Sequence, residues 1–430
     1  MKITNIFLIF IISADIAISY KWTSYNYTGY EYRYLNESIN STIGMLQQNG
    51  DDSSVLLYVN YEKEPDYYNS KSFSIDDVTI MKTGKSSNLD ESLSYCINSA
   101  VLVSGHSITL HRDQVRTSDE GAISLCATHS GRINVYSSTI STQEKNSIAM
   151  HASENSSLSG RDSYISTIGE NSPAISGQKG SWISINNCQL YTSKKGSPLL
   201  TTLGSLEIKN TNGSAKNSHA IIVDVPNGFN INNTILNCSW EGDGDGTSDI
   251  SGILFKNTSF DPKRDSYYTV NPIDLSIKNS ILEINSEIVP MILIDDVYSN
   301  IYLRNVKVKS RIFLKFKSTK RKIYIELSSC DIEGDIIGDE QTNINIYLSH
   351  TKFKGAINPD NKAGYISIEI NSDSNITLTD NSNCDAITNS DYTNSNIMKN
   401  SFTFNGLEEN SSSSLLIRKM ILLLLICLMI

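Results

Sequence analysis

Two adjacent stretches decide the fold: ISLCATHSGRINVYSSTISTQEKNS at residues 123–147 and IAMHASENSSLSGRDSYISTIGENS at residues 148–172. They have few identical residues but share one pattern, which we call the skeleton. In it, apolar and polar residues alternate up to a polar turn residue, and an apolar residue follows three positions after the turn. In the first copy the turn residue is Ser137 and the closing residue is Ile140; in the second they are Asp162 and Ile165. Alternation of this kind places every second side chain on one face, as in a half-buried strand.

The skeleton recurs along most of the chain. Its turn residues stand at positions 112, 137, 162, 187, 210, 233, 257, 279, 305, 329 and 350, with weaker copies ending at Asp77 and Asp380. A repeat of this length indicates a solenoid, a propeller or an array, and it is too short for a propeller blade of ~40–45 residues. We therefore predict an all-β fold, a single-stranded right-handed parallel β-helix of about 11–13 coils of 21–26 residues, the hand following the general preference of parallel connections.

Asparagine is the commonest residue at the turn positions. It tolerates left-handed backbone angles and bonds its own backbone, so it suits the corner of a coil. Asparagines that stack from coil to coil are also able to form a hydrogen-bonded ladder, so we assign them a structural role. The predicted ladder consists of Asn187, Asn210, Asn233, Asn257, Asn279 and Asn305.

Composition limits the class of protein. The 430 residues are 39% hydrophobic and 19% charged, with a net charge of −10, which argues against a nucleic-acid partner. The cysteine spacings match no metal site, and no cofactor is predicted. Disulfides and buried free thiols both remain open for the six cysteines outside the tail, which are Cys96, Cys126, Cys188, Cys238, Cys330 and Cys384.

The chain divides into five predicted segments. Residues 1–19 have the charged start, apolar core and small-residue cleavage site of a signal peptide, with a retained anchor as the alternative. Residues 20–65 are rich in tyrosine and are predicted to cap the solenoid, although a sugar-binding aromatic stripe is the alternative. Residues 66–385 form the β-helix, and residues 386–414 form a Ser/Asn-rich stalk.

The fifth segment, residues 415–430, is hydrophobic and has the order of a glycosylphosphatidylinositol (GPI) signal with attachment at Asn410 or Ser411; a short tail anchor is the alternative. Together with sequons for N-glycosylation, these signals predict a secreted glycoprotein at the extracellular face of the plasma membrane or cell wall. The predicted glycosylation sites are Asn26, Asn36, Asn40, Asn155, Asn212, Asn232, Asn237, Asn257 and Asn375.

The sequence contains no convincing catalytic constellation. The acidic cluster EGDGDGTSD offers Asp243, Asp245 and Asp249 as candidate metal ligands, but its spacing matches no EF-hand loop and its glycines favour a flexible loop. The six histidines form no metal-binding pair. The basic run KFKSTKRK at residues 315–322 is interpreted as a solvated surface, with contact to an acidic glycan as the alternative.

Three segments carry a resemblance: VTIMKTGKSSNLDESLSYCINSAVLVSGHSITL at 78–110, TIGENSPAI at 167–175 and GDIIGDEQTNINIYLSHTKFKGAIN at 334–358. They are similar to segments of uncharacterised, adhesin-like right-handed β-helix surface proteins of gut Firmicutes and anaerobic fungi. The resemblance spans roughly residues 70–385 and implies the β-helix fold and an adhesin-like role. It provides no active site to transfer, and this chain has Asn and Lys at corners where the family has glycine.

Three functional hypotheses follow. The first is an adhesin-like protein, held at the membrane by a lipid anchor, that binds glycans, plant polysaccharide or the surface of host or neighbouring cells. The second is a polysaccharide lyase or glycoside hydrolase that uses Asp243 and Asp245 with a nearby basic residue. The third is a structural coat or wall protein.

Overall fold

The computed structural model describes residues 23–27, 30–34, 38–39, 44–59, 71–153, 155–224, 228–240, 250–256, 273–317, 322–371, 373–389 and 397–408. Two compact units divide the chain: unit 1 is Met1–Asn227 with Thr234–Gly242, and unit 2 is Gly228–Asn233 with Asp243–Ile430. In the part of the chain that the structure describes, the strands form a parallel β-solenoid of about 11 turns, as the sequence repeat predicts, and one short helix accompanies them.

In unit 1 each turn supplies three strands, which stack into three faces. The first face consists of β5 Ser72–Asp76, β8 Ser107–His111, β11 Arg132–Tyr136, β14 Ser157–Arg161, β17 Trp182–Asn186 and β20 Ser205–Lys209. The second consists of β3 Met45–Asn49, β6 Thr79–Thr83, β9 Gln114–Thr117, β12 Thr139–Thr142, β15 Tyr164–Thr167, β18 Gln189–Thr192, β21 Asn212–Lys216 and β24 Ile235–Ser239. The third consists of β4 Leu56–Val59, β7 Ser99–Ser104, β10 Ile123–Thr128, β13 Ile148–Ala152, β16 Ile175–Gly177, β19 Leu200–Thr202 and β22 Ile221–Asp224.

Unit 2 has the same three kinds of strand. Its first face consists of β23 Gly228–Asn232, β26 Ile273–Lys278, β29 Ser299–Arg304, β31 Lys322–Ser328, β33 Asn343–Ser349, β35 Tyr365–Ile370, β37 Ser382–Asn389 and β39 Phe404–Glu408. The second consists of β27 Ile281–Asn285, β30 Lys307–Lys317, β32 Asp331–Ile337, β34 Lys352–Lys354, β36 Asn375–Thr377 and β38 Ile397–Met398. The third includes β25 Ile253–Lys256 and β28 Ile292–Asp295, which pairs with the second half of β30.

The stacking register is the sequence repeat itself. On the first face of unit 1, Ile133 lies between Ile108 and Leu158, one coil away on either side, and all three side chains are buried. Each coil therefore places its apolar residues on those of the next, and the core runs the length of the stack instead of forming a ball.

The corners have the left-handed backbone that the sequence predicts. Apart from Asp380, the described turn residues of the skeleton have φ between 49° and 59°, including Arg112, Ser137 and His350 as well as the asparagines. Just past the corner the next residue points inward, and its hydroxyl accepts a backbone N–H from the preceding coil. Examples are Ser163 accepting from Ser138 (3.1 Å) and Thr351 accepting from Cys330 (3.2 Å).

Two of the predicted skeleton copies are wrong. The copy ending at residue 257 maps onto β25, which is a third-face strand paired with β28, so its turn of chain is one long coil and not two. The copy ending at Asp380 maps onto β36, a second-face strand paired with β34. The first-face strand of that turn is β35, which the sequence analysis missed.

Parallel pairing extends beyond residues 66 and 385. In unit 1, β3 pairs with β6 and β4 pairs with β7, while β1 Thr23–Tyr27 and β2 Tyr30–Tyr34 form an antiparallel hairpin. In unit 2, β38 and β39 continue the second and first faces. The solenoid therefore includes parts of the segments predicted to be cap and stalk.

One helix, α1 Leu89–Tyr95, covers the outer side of the third face in unit 1. Asn88 caps its first turn by accepting hydrogen bonds from Asp90 N and Glu91 N, and Cys96 ends it with a left-handed backbone. A disulfide joins Cys96 to Cys126 on β10, while Cys188, Cys238 and Cys330 are buried free thiols. At seven residues, the helix is shorter than the 10–12 residues over which helical periodicity is recognisable in a sequence.

Candidate functional site

Several predicted sites lie outside the described residues. These are the acidic residues Asp243, Asp245 and Asp249, the sequons Asn36, Asn40 and Asn257, and the attachment candidates Asn410 and Ser411. Residues 1–19 and 415–430 are outside them as well, as are residues 390–396 and 409–414 of the predicted stalk. Within the described ranges, no group of three or more His, Cys, Asp or Glu side chains is arranged to hold a metal ion.

Five of the remaining sequon asparagines are at least partly exposed. Asn155, Asn212, Asn237 and Asn375 are exposed and Asn232 is half-buried, while Asn26 lies on β1. Asn155 occupies a left-handed corner, and Asn212 and Asn375 begin second-face strands. An exposed position is what an oligosaccharide needs, because the attached chain is bulky and hydrated.

The corner ladder is mixed in composition. In unit 2 Asn305 Nδ2 donates to Asn279 Oδ1 at 2.9 Å, as expected for stacked corners. Asn279 Nδ2 donates instead to Oδ1 of Asn232, the residue before the corner, also at 2.9 Å. In unit 1 Asn187 donates to Asp162, and Asn210 donates to Asn186 at 2.9 Å. The corner side chains thus bond between coils, but to whichever acceptor lies within reach.

The described histidines have structural surroundings. His151 is buried under α1, where Nε2 lies 2.8 Å from Leu93 O and burial lowers the pKa of His151 to about 4. The ring is therefore neutral at pH 7, and its Nε2–H donates to the carbonyl. His111 stacks on Tyr136 with 5.0 Å between ring centroids, and the corner residue His350 lies 3.1 Å from Asp373.

The most distinctive surface lies on the first face of unit 2. Tyr302 on β29, Glu326 on β31, Tyr347 on β33 and Glu369 on β35 are register partners in one outward row. Tyr324 stands two residues before Glu326 on the same side of β31. We call these five residues the tyrosine–glutamate face.

The tyrosine–glutamate face is a connected cluster. The Tyr302 and Tyr324 rings are 6.2 Å apart between centroids and tilted by 58°. Burial, followed by the charges of Glu326 and Glu369, raises the pKa of Tyr324. Burial also raises the pKa of Tyr302, with Asp274 and Glu326 adding to it. Both phenols therefore remain protonated near neutral pH and keep an O–H to donate beside the carboxylates.

The outward row to which Tyr324 belongs adds amides and a hydroxyl to this surface. Asn300, Tyr324, Asn345 and Ser367 are register partners on the same four strands. Asn300 Nδ2 donates to Asp274 Oδ1 at 3.1 Å, and Ser367 Oγ donates to Asn345 Oδ1 at 2.6 Å. The surface therefore combines aromatic rings, carboxylates, amides and hydroxyls on strands held in fixed register.

The basic run predicted at residues 315–322 contributes to another part of unit 2. Lys315 is exposed and Lys317 half-buried on β30, with Lys317 Nζ 3.8 Å from Asp295, whereas residues 318–321 lie outside the described ranges. On the second face, Lys354 Nζ contacts Glu333 at 2.8 Å across neighbouring strands. Opposite charges thus alternate on this face, so it has no uniformly basic patch in the part described.

Sequence reasoning missed the tyrosine–glutamate face even though the signal was present. Tyr302, Glu326 and Tyr347 all occupy the second position of a predicted skeleton copy. Comparing that position from coil to coil would have shown the row. Glu369 could not be found in this way, because its coil was not recognised.

The described ranges contain no helix long and apolar enough to cross a membrane. No protein-family model and no curated protein matches this chain. The evidence for function therefore rests on the chain's own residues.

Proposed function

We propose that this chain is a cell-surface, glycosylated and GPI-anchored β-solenoid with an adhesin-like role, which binds glycan, plant cell wall or other cells. The observation that carries the proposal is the tyrosine–glutamate face. Aromatic faces and hydrogen-bonding groups together suit a ligand with both apolar and hydroxyl-rich surfaces, and tyrosine offers both characters in one side chain. The exposed sequons and the signals at both ends of the sequence support the location.

The solenoid supports this role through rigidity. Each strand of the tyrosine–glutamate face pairs with a parallel neighbour on both sides, so the side chains are held before any ligand arrives. Binding groups that are already ordered lose less conformational entropy on association. A protein that displays such a surface away from a membrane is suited to adhesion.

The test uses the full chain expressed in a eukaryotic host. We expect antibody staining of intact cells, release by a phosphatidylinositol-specific phospholipase, and a mass decrease on treatment with an N-glycosidase. Detergent-purified protein is expected to bind members of a panel of plant and cell-surface glycans. Protein that stays inside the cell, or that binds no glycan in the panel, would contradict the proposal.

A glycoside hydrolase is the second candidate, favoured by one observation. Glu326 and Glu369 lie two strands apart in one row, about 9.6 Å between backbones. The carboxyl groups of inverting enzymes are ≈ 6.5–9.5 Å apart, a separation that two glutamates on these backbones reach if their side chains lean slightly towards each other. Release of reducing ends from a bound polysaccharide, abolished by Glu326→Gln or by Asp243→Ala with Asp245→Ala, would establish an enzyme in place of an adhesin.

A further inference from the structure

We propose that the tyrosine–glutamate face binds an extended chain of neutral, β-linked pyranoses that runs along the stacking direction, across strands β29 to β35. This inference rests on the proposed glycan-binding function and specifies the face, the ligand class and its direction.

The direction follows from the register. Adjacent strands lie about 4.8 Å apart, so Tyr302 and Tyr347, separated by β31, are about 9.6 Å apart in the same row. In an extended β-1,4-linked chain, successive pyranoses are turned over, so every second ring presents the same face. A chain that crosses the strands therefore meets an aromatic ring at each equivalent sugar.

The side chains between the tyrosines complement the hydroxyls. Glu326 lies between Tyr302 and Tyr347, and Glu369 follows Tyr347. A carboxylate accepts from two hydroxyls at once, while the phenol O–H groups donate. The apolar C–H face of a pyranose packs on the tyrosine ring, since a half-buried ring offers apolar area at little entropic cost.

Charge selects a neutral ligand. The two outward rows themselves contain three carboxylates, Asp274, Glu326 and Glu369, and no lysine or arginine. The cations of these strands lie in the rows on either side: Lys278 and Arg304 beside the corner, and Lys322 two residues before Tyr324 on β31. A polyuronate or sulfated chain placed on these rows would bring like charges together, which costs affinity.

The length of the face sets the size of the ligand. From Tyr302 to Glu369 there are three strand intervals, about 14 Å, which is room for about three pyranose units. Affinity is therefore expected to rise from the disaccharide to the trisaccharide and then to level off.

The experiment measures binding of cello-, xylo- and chito-oligosaccharides and of oligogalacturonate to the detergent-purified full chain by calorimetry. Tyr302→Ala and Tyr347→Ala are each expected to weaken binding of the neutral tetrasaccharide about tenfold, the equivalent of about 1.4 kcal/mol. Tyr302→Phe and Tyr347→Phe, which keep the ring, should remain within about threefold of the wild type. The matched control is Tyr164→Ala, because Tyr164 is an exposed tyrosine on the second face of unit 1.

The outcomes separate this inference from the proposed function. Suppose that the wild type binds a neutral oligosaccharide and that the Ala variants bind it equally well and have the same melting temperature. The binding site is then not on the tyrosine–glutamate face, and the proposed function stands. Oligogalacturonate binding as tightly as the neutral chains would overturn the ligand class. If the wild type binds no glycan at all, the proposed function and this inference both fail. Loss of binding in an Ala variant supports the inference only when the Phe variant at the same position still binds the oligosaccharide.

Discussion

At the scale of the residue, a left-handed corner is the feature on which each coil depends. Asn305 is exposed, has φ of 54° and donates a hydrogen bond to the corner below. A β-branched side chain is strained in this conformation, whereas glycine adopts it freely. The residue type at such corners is therefore restricted by the backbone even where the side chain is in solvent.

We expect Asn305→Val to lower the free energy of unfolding by about 1–2 kcal/mol, because valine carries the full left-handed penalty. Asn305→Gly should cost less, about 0.5–1 kcal/mol, since only the side-chain hydrogen bond and some chain entropy are lost. Urea denaturation followed by circular dichroism measures both. Asn134→Val is the control, because Asn134 points outward from β11 on extended backbone; equal losses at residues 134 and 305 would contradict the explanation.

Asp113 is a second residue with a local consequence. It occupies the inward position after a corner, where the preceding coil has Val78 and the next two coils have Ser138 and Ser163. Its Oδ1 accepts from Val78 N at 2.7 Å, and burial raises the pKa of Asp113 to about 7. The folded protein therefore keeps a proton that the unfolded chain releases near its ordinary value.

Because the folded-state pKa is raised, stability is expected to fall as pH rises from about 4 to about 7, by at most about 1.4 kcal/mol per pH unit from this group. Asp113→Ser installs the hydroxyl used by the next two coils and should remove this slope, making the variant more stable than the wild type at pH 8. Thermal melting from pH 4 to pH 8 checks it. Asp76→Ser, on the outward side of β5, is the control; parallel curves for the wild type and Asp113→Ser would refute the prediction.

At the scale of the element, α1 is the exception to the repeat. The helix covers Leu102 and Cys126, which are register partners in an outward row of the third face and would otherwise be exposed to solvent. Leu93 of the helix packs against the cluster that contains these two residues. Seven residues do not make a stable helix in isolation. Its stability therefore comes from the face that it covers and from the bond between Cys96 and Cys126.

Removing that bond should release the helix without unfolding the solenoid. The disulfide joins residues that are 30 positions apart, for which loop entropy predicts a stabilisation of about 3.6 kcal/mol. We expect the double variant Cys96→Ala, Cys126→Ala to show faster amide exchange in residues 89–95 and unchanged exchange in β14 and β17. Cys188→Ala, which removes a buried free thiol, is the control. Protection of α1 equal to that of the wild type would show that packing alone holds it.

At the scale of the whole molecule, the solenoid is modular. Each coil of unit 1 contacts the coils before and after it, so stability is approximately a sum of coil terms and nearest-neighbour terms. The coils between residues 112 and 187 each have 25 residues, and their strands pair without a shift. A whole coil can therefore be removed without altering the register of the rest.

We expect deletion of residues 138–162 to leave a folded solenoid, because it joins Ser137 to Ser163 at the same point of the next coil. Deletion of residues 138–150, about half a coil, should unfold the region, because it moves inward side chains to the wrong faces. Circular dichroism and limited proteolysis of the two proteins measure this. Equal protease resistance would mean that the coils are not the units of stability.

The sequence by itself determined the coil, because stacking imposes the same demands on each turn: inward apolar residues, an inward hydroxyl and a left-handed corner. It also indicated Ser137, Asp162 and Asn305 as corners from local rules alone. Tertiary structure decided the rest. Whether Ile253 and Ile376 lie on the first, second or third face depends on pairing partners distant in sequence, since strands of all three faces show similar alternation. For the same reason only stacking brought Tyr302, Glu326, Tyr347 and Glu369 into one row, although more than twenty residues separate each from the next.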